Sequence, residues 1–399
     1  MACLRPGHFE TAVDADEKPA RPSTADECEL FADLARELLG KRVQPHVGDP
    51  RGRARASGDG ERGSREPKGR AEPGHNGERR HAGHVRNIQV ACPPMRALVA
   101  KQSAPYAELA EVRDPQPVHD QALVEVRAFS LNRGETRRLE SLEPGTVTGW
   151  DLAGVVKQAA ADGSGPSAGS RVVGMVPAGA WAELAAVETD WLAELPAAVS
   201  FEQAAALPVA GLTALRALEL GGFLVEKRVL VTGASGGVGR FAIQLARLAG
   251  ANVTGLARRT EGLREIGADE VITEIALDGP TYDLIVDGIG GGVLSAAIQR
   301  VAPGGTVVSF ASTVSDPVSY PARELFARAP RARVYGLYIF AELQHTQTGS
   351  SDLRRLADLI AAGKLDPQID LTSSWNDAGQ AIEALLDRRV NGKAVLRVD

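Results

Sequence analysis

The stretch "RVLVTGASGGVGRFAIQLARLAGANVTGLARR" (residues 228–259) sets four glycines in seven positions, "GASGGVG", between an apolar run and an amphipathic one. Two readings compete at such a loop: a tight turn without a ligand, or a seat for a phosphate. A phosphate seat needs a sharp turn after a strand, and backbone able to approach an anion. It also needs a helix whose N-terminal N–H groups and dipole face that anion. Here Ala234, Gly236 and Gly239 hold the G-x-G-x-x-G positions, with Ala in the first slot. Gly233, Ser235, Gly237 and Val238 complete the loop. "RVLVTG" reads as a strand, "GVGRFAIQLARLAG" as a helix, and "ANVTGLAR" as a second strand. That second strand ends about 20 residues on, the spacing of a dinucleotide site. No Gly-Lys-Ser/Thr follows, so a mononucleotide P-loop is excluded.

The end of the second strand selects the cofactor. An acid there would bind both ribose hydroxyls of NAD and repel a 2′-phosphate. This chain has "LARRTEG", with Arg258 and Arg259 in that place. Guanidinium forks suit a 2′-phosphate, so the expected cofactor is NADP. The alternative is two solvated arginines at the start of a helix. Further on, Asp287 in "YDLIVDGIGG" ends a strand, where cofactor sites of open sheets lie, and Gly288 permits a close turn.

These residues need elements to hold them. From Met95 onward, "MRALVA", "ALVEVRAFSLN", "GWDLAGVVKQA", "GSRVVGMV" and "AWAELAAV" read as strands of an antiparallel, barrel-like sheet. "SFEQAAALPVAGLTALRALEL" reads as helical pieces, with Ser200 and Gln203 at capping-box spacing. Strand and helix periods then alternate: "TEGLREIG" a helix, "EVIT" a strand, "GGVLSAAIQRVA" a helix, "GTVVSFAS" a strand. Successive βα units imply a parallel, doubly wound sheet. "SDLRRLADLIAAG" and "NDAGQAIEALLDRR" have helical periods, and "GKAVLRV" reads as a last strand.

The first quarter differs in texture. Residues 1–94 hold all three cysteines and five of the seven histidines, and a Gly-, Arg-, Glu- and Pro-rich run over 48–84. So few apolar residues cannot offset the entropy of ordering, so this extension is expected to be disordered. One helix is expected over residues 25–40, where Leu30, Leu34 and Leu38 form a stripe. The three cysteines give no disulfide framework, which suits a reducing cytoplasm. A net charge of −6 favours neither nucleic acid nor an anionic membrane, and no run of 18 apolar residues occurs. His119 and His345 stand alone and read as surface or loop residues.

The ordered motifs "NRGETRRLESLEPGTVTGWDLAGVV", "LPVAGLTALRALEL", "VTGASGGVGRFAIQLARLAGANVTGLAR", "REIGADEVI", "YDLIVDGIGG" and "NGKAVLRV" resemble the medium-chain dehydrogenase/reductase superfamily. The closest likeness within it is to the zinc-free quinone oxidoreductases, over about residues 95–399. The resemblance implies an α/β fold: a Rossmann NADP-binding domain (209–341) inserted in a GroES-like, mostly β catalytic domain (95–208 and 342–399). It implies no metal. Asn132 lies near the place of a zinc-ligating Cys, and Trp150 and Asp151 fill the places of a His-Glu pair.

By the same resemblance Asn132, Asp151 and Thr213 are candidate catalytic residues. Asn132 would donate to a developing oxyanion or hold a turn, and Thr213 would lie near the nicotinamide or cap a helix start. Asp151 would bind substrate or a nearby arginine, or serve as structural support. Phe310, Ala311, Leu337 and Tyr338 match segments beside the nicotinamide, or are packing, and Asn391 and Lys393 lie by the cofactor or in a hairpin turn. The implied activity is hydride transfer from NADPH to a small quinone or α,β-unsaturated carbonyl. The alternatives are an enoyl-thioester reductase and a non-catalytic NADPH-binding sensor. A homodimer is carried over from the resemblance. Where relatives carry Tyr or Asp after the Asn, this chain has Glu135 and Arg137, which leaves protonation to water.

Overall fold

A computed structural model describes residues 94–399. The disorder expected over 1–94 and the helix over 25–40 lie outside the described residues, Pro94 apart. β1 (Met95–Ala100) and β2 (Ala107–Val112) form an antiparallel pair. β3 (Gln121–Leu131) buries alternate side chains from Ala122 to Val126, then all four of residues 128–131. A strand with one wet face thus runs on into the core. α1 (Arg133–Arg138) follows at once, then β4 (Asp151–Gln158), β5 (Arg171–Met175), β6 (Leu184–Glu188) and β7 (Leu192–Glu194).

α2 (Phe201–Ala205) starts with the expected capping box. Gln203 N–H donates to Ser200 Oγ at 3.1 Å, and Ser200 N–H to Gln203 Oε1 at 3.0 Å. α3 (Pro208–Glu219) begins on Pro208, whose missing N–H is harmless at the first helical position. The alternating part comprises β8 (Arg228–Thr232), α4 (Gly237–Leu248), β9 (Asn252–Leu256), β10 (Glu270–Ile272), β11 (Tyr282–Asp287), α5 (Gly291–Ile298), β12 (Val301–Ser309) and β13 (Arg333–Gly336). Then come α6 (Ile339–Thr346), α7 (Gly349–Ala361), β14 (Ile369–Ser374), α8 (Ala378–Leu386) and β15 (Lys393–Arg397).

Two sheets result. One runs β14-β15-β3-β4-β5-β7, with β6 also paired to β3. It is antiparallel except where β14 meets β15. The other runs β10-β9-β8-β11-β12-β13 with every pair parallel. Numbered from β8, that order is 3-2-1-4-5-6, the doubly wound dinucleotide arrangement. The switch point lies between β8 and β11, so the glycine loop and Asp287 emerge side by side. The last strand β15 returns to pair with β3, which inserts the parallel domain into the antiparallel one.

The largest apolar core spans both sheets. It joins Ala128, Ala153 and Met175 to Val229, Val231, Leu284 and Val286 through α2 and α3. α3 is buried nearly all round, as a helix between layers must be.

Two sequence expectations are corrected. "TEGLREIG" forms successive turns rather than a helix, because Gly262 (φ +75°) and Gly267 (φ +114°) take left-handed backbone. The α5 segment ends at Ile298, and Val301 opens β12 instead of extending the helix.

Candidate functional site

The glycine loop is built to admit an anion. Gly233 turns with φ +65°, and Ala234 N–H donates to Leu256 O at 3.0 Å, tying the loop to the end of β9. A Cβ on Gly239 would stand 2.5 Å from Gly233 O, so only glycine lets α4 start this close to the turn. Gly236 is exposed, and its Cβ would meet only Gly233 O, at 3.3 Å. The open side of the loop therefore faces the first N–H groups of α4, at Gly237 and Val238, which have no partner within the helix. Ser235, Gly237 and Val238 are half-buried around it. These residues fit a pyrophosphate.

Arg240, which sequence reasoning missed, stiffens the loop from beneath. It is buried in the first turn of α4 and donates to Ser235 O (3.3 Å), Glu261 O (3.0 Å) and Gln368 Oε1 (2.8 Å). Burial, more than any neighbour, holds its guanidinium below the usual value. The available signal was a cation inside an otherwise small and apolar helix start. At the end of β9, Arg258 is exposed, while Arg259 donates to Val390 O at 2.8 Å. Burial, then Arg388, Arg137 and Arg258, hold the Arg133 guanidinium down, so four arginines crowd this rim.

Asp287 is wholly buried and used internally. Thr232 Oγ1 donates to it at 2.5 Å, Gly290 N–H at 3.1 Å and Ile289 N–H at 3.4 Å. Burial raises its carboxyl above the usual range. Asp287 thus shapes the loop through Gly288, whose missing side chain leaves room for the Phe310 ring.

The second half of the site hangs on two strand pairings. β15 against β3 sets Ala394 opposite Leu131, and β4 against β3 sets Asp151 opposite Ser130. Lys393, Asn132 and Asp151 are thereby brought together. Lys393 Nζ donates to Asn132 Oδ1 at 2.7 Å and to Asp151 Oδ2 at 3.3 Å. The Lys393–Asp151 ion pair is buried on both sides. Asp151 Oδ2 also accepts from Ser130 Oγ (2.6 Å) and Asn132 Nδ2 (2.7 Å). Its Oδ1 accepts from Val209 N–H (2.9 Å) at the start of α3, where a carboxylate suits the helix dipole. Both oxygens of Asp151 are thus taken by the protein.

Asn132 caps α1. Glu135 Oε1 accepts from Asn132 N–H at 2.7 Å and from Asn132 Nδ2 at 3.1 Å. Both amide hydrogens therefore point at carboxyl groups. Burial, then the charge of Asp151, pushes the Glu135 carboxyl well above the usual carboxylate range. Lys393 also reaches the other half of the site, because its Cδ would lie 2.9 Å from a Cβ on Gly237.

Glu135, Arg138, Thr148, Trp150 and Pro177 line a cavity of about 160 Å³. Trp150 meets Phe340 edge-on at 5.6 Å, and Phe340 meets Tyr338 at 5.5 Å, an aromatic cluster behind the cavity wall. Burial raises the Tyr338 phenol against the pull of Arg138. Arg137 crosses the cleft to Ser312 O at 3.2 Å.

The remaining expected residues divide. Thr213 is buried in the middle of α3, so it is no helix-start cap. Phe310 is half-buried and Ala311 exposed after β12, at the switch-point edge. Leu337 belongs to the main core. Asn391 anchors its turn through N–H to Asp370 Oδ2 at 2.7 Å. His119 and His345 are exposed.

Comparison with known proteins agrees with this architecture. Residues 118–197 match the family described as alcohol dehydrogenase GroES-like domain, and 266–396 the family described as zinc-binding dehydrogenase. The chain is 35% identical over 308 residues to 2-methylene-furan-3-one reductase of Solanum lycopersicum, covering 71% of this chain and 73% of the relative. It is 25% identical to acryloyl-coenzyme A reductase of Metallosphaera sedula, covering 76% of this chain and 99% of that one. The solved quinone oxidoreductase of Coxiella burnetii superposes with a TM-score of 0.66 at 28% identity, covering 76% of this chain and 99% of that one.

The residues here do not fit the zinc that one family description names. An amide, an indole and a carboxylate already paired with an ammonium are no tetrahedral donor set. Among the described residues no cluster of three or more His, Cys, Asp or Glu is placed to hold a metal ion. The chain belongs to the medium-chain dehydrogenase/reductase superfamily, in its quinone- and enone-reductase-like branch.

Proposed function

We propose that the protein is an NADPH-dependent reductase of quinones or α,β-unsaturated carbonyls. The observation that carries this is Lys393: its stem packs on the glycine loop while its ammonium holds Asn132 and Asp151 beside the Trp150 cavity. Cofactor seat and acceptor cavity are thus joined by one side chain. Gly233, Ala234, Ser235, Gly236, Gly237, Val238 and Gly239 would hold the pyrophosphate. Arg258 and Arg259, within the arginine-rich rim, would hold the 2′-phosphate. Phe310, Ala311 and Tyr338 would border the nicotinamide, with Thr213 behind it. When bound, NADPH supplies a hydride. The cavity orients an electron-poor acceptor and its aromatic wall excludes water. We assign 95–208 and 342–399 to the catalytic domain, 209–341 to the cofactor domain, and the cytoplasm as the compartment. Among the described residues no helix is long and apolar enough to cross a membrane.

An enoyl thioester is the second reading, favoured by the likeness to acryloyl-coenzyme A reductase and by Arg138 on the cavity wall. One assay separates the readings. NADPH absorbance is followed with 1,4-quinones, short enones and an enoyl-coenzyme A. Consumption with quinones or enones is the expected result. Consumption with the thioester alone shifts the function to the second reading. Tight NADPH binding with no turnover supports a sensor instead.

A further inference from the structure

We propose that Glu135, which lines the cavity beside Trp150, is the acid of this site: its carboxyl group delivers the proton that completes reduction of the acceptor. The step rests on the reductase reading above. Four observations support it.

Glu135 is buried on α1 and lines the cavity. Its two oxygens are unequal. Oε1 accepts two bonds from Asn132, whereas Oε2 is buried with no hydrogen-bond partner among the described residues. A carboxylate would not leave one charged oxygen bare in such a place, since an unpartnered buried charge is severely penalised. A carboxylic acid fits: the carbonyl oxygen accepts from Asn132, and the hydroxyl oxygen is the one left without a partner among the described residues.

The charges around it favour that form. Asp151 on β4 faces Glu135 across Asn132, and Lys393 on β15 is bonded to Asp151 and Asn132. The Lys393 ammonium, paired with Asp151, also draws the Glu135 carboxyl down, but by less than burial and the Asp151 charge push it up. Arg138, on the same helix, stands on the cavity wall as well. Burial, then Asp151, pushes the Glu135 carboxyl upward, in the direction a proton donor near neutral pH needs.

The reaction balances without a further reagent. The acceptor takes a hydride, two electrons and one hydrogen, at its electron-poor carbon or quinone oxygen. The O–H bond of Glu135 breaks, its electron pair stays on the carboxylate, and the proton bonds to the acceptor's reduced oxygen. Water then returns a proton to Glu135, so one NADPH and one proton are consumed per acceptor.

The test uses the whole protein with Glu135→Gln and Glu135→Asp, a 1,4-quinone and a short enone. Fluorescence titration of NADPH confirms that each variant is folded. Glu135→Gln, which keeps a hydrogen-bonding group but cannot give up a proton, is expected to lower kcat/KM by about 10²-fold or more. The wild-type rate should fall as pH rises through the raised Glu135 value. The Gln variant should lack that fall, and the Asp variant should regain part of the rate.

A second readout needs neither cofactor nor acceptor. In the unfolded chain the carboxyl loses its proton in the ordinary carboxylate range, while in the folded protein it keeps it to higher pH. The folded state then binds more protons, so wild-type stability falls relative to Glu135→Gln as pH rises between those values. Near-wild-type rates in the Gln variant with an unchanged pH profile would overturn the proposal. So would equal stability profiles. No NADPH consumption by the wild type with either acceptor would instead sink the reductase reading, and this step with it.

Discussion

At the scale of residues, the site sorts its charges by partner. Asp151 is saturated by Ser130, Asn132, Val209 and Lys393, Asp287 by Thr232 and its own turn, and Arg240 by three acceptors. Satisfied buried groups of this kind position other groups rather than react. Arg258 is different, since it is exposed in an arginine-rich rim. Replacing Arg258 and Arg259 together by Ala is expected to raise the KM for NADPH by about tenfold or more while leaving that for NADH nearly unchanged, a guanidinium bond to an anion being worth about 1.5–3 kcal/mol. Steady-state kinetics with both cofactors checks this, and equal effects would remove the 2′-phosphate assignment.

At the scale of elements, β8, the glycine loop and α4 act as one unit. Gly239→Ala would force a Cβ to 2.5 Å from Gly233 O, so loop and helix must part. The expected result is a lower Tm, from about 1–3 kcal/mol of overpacking, together with weaker NADPH binding. Thermal unfolding and fluorescence titration of the same variant test both effects. Wild-type values in both would contradict the close packing.

This unit was also the most legible part of the sequence. Period and glycine spacing are local signals, and they read correctly across "RVLVTG" and "GVGRFAIQLARLAG". The capping box at Ser200 was local too. "TEGLREIG" misled because two glycines with left-handed backbone outweigh an apolar period. What stayed hidden was non-local. Nothing in "NGKAVLRV" says that Lys393 will meet Asn132, 261 positions away, because β15 pairs with β3 only in the folded sheet. Likewise Glu135 stood out in sequence only as a departure, and its bare oxygen exists only once the cavity has closed around it.

At the scale of the whole molecule, the parallel sheet ends on an exposed strand. All four residues of β13 are exposed, Val334 at 48% and Tyr335 at 37%, and a hollow of about 300 Å³ runs beside them. An open edge with apolar side chains invites pairing with another copy. We therefore place the expected homodimer on this edge. Light scattering tests this: the expected result is a dimeric wild type that Val334→Arg with Tyr335→Asp splits into monomers. An unchanged mass would move the interface elsewhere.

The central claim is direct hydride delivery from NADPH to a conjugated acceptor. It is tested most directly with NADPH deuterated at nicotinamide C4 and a short enone, the product being read by mass spectrometry. The account predicts one deuterium on the β-carbon of the saturated ketone, with a solvent-derived hydrogen on the α-carbon after the enol relaxes. Reduced product without deuterium, or no product while NADPH stays bound, would contradict it.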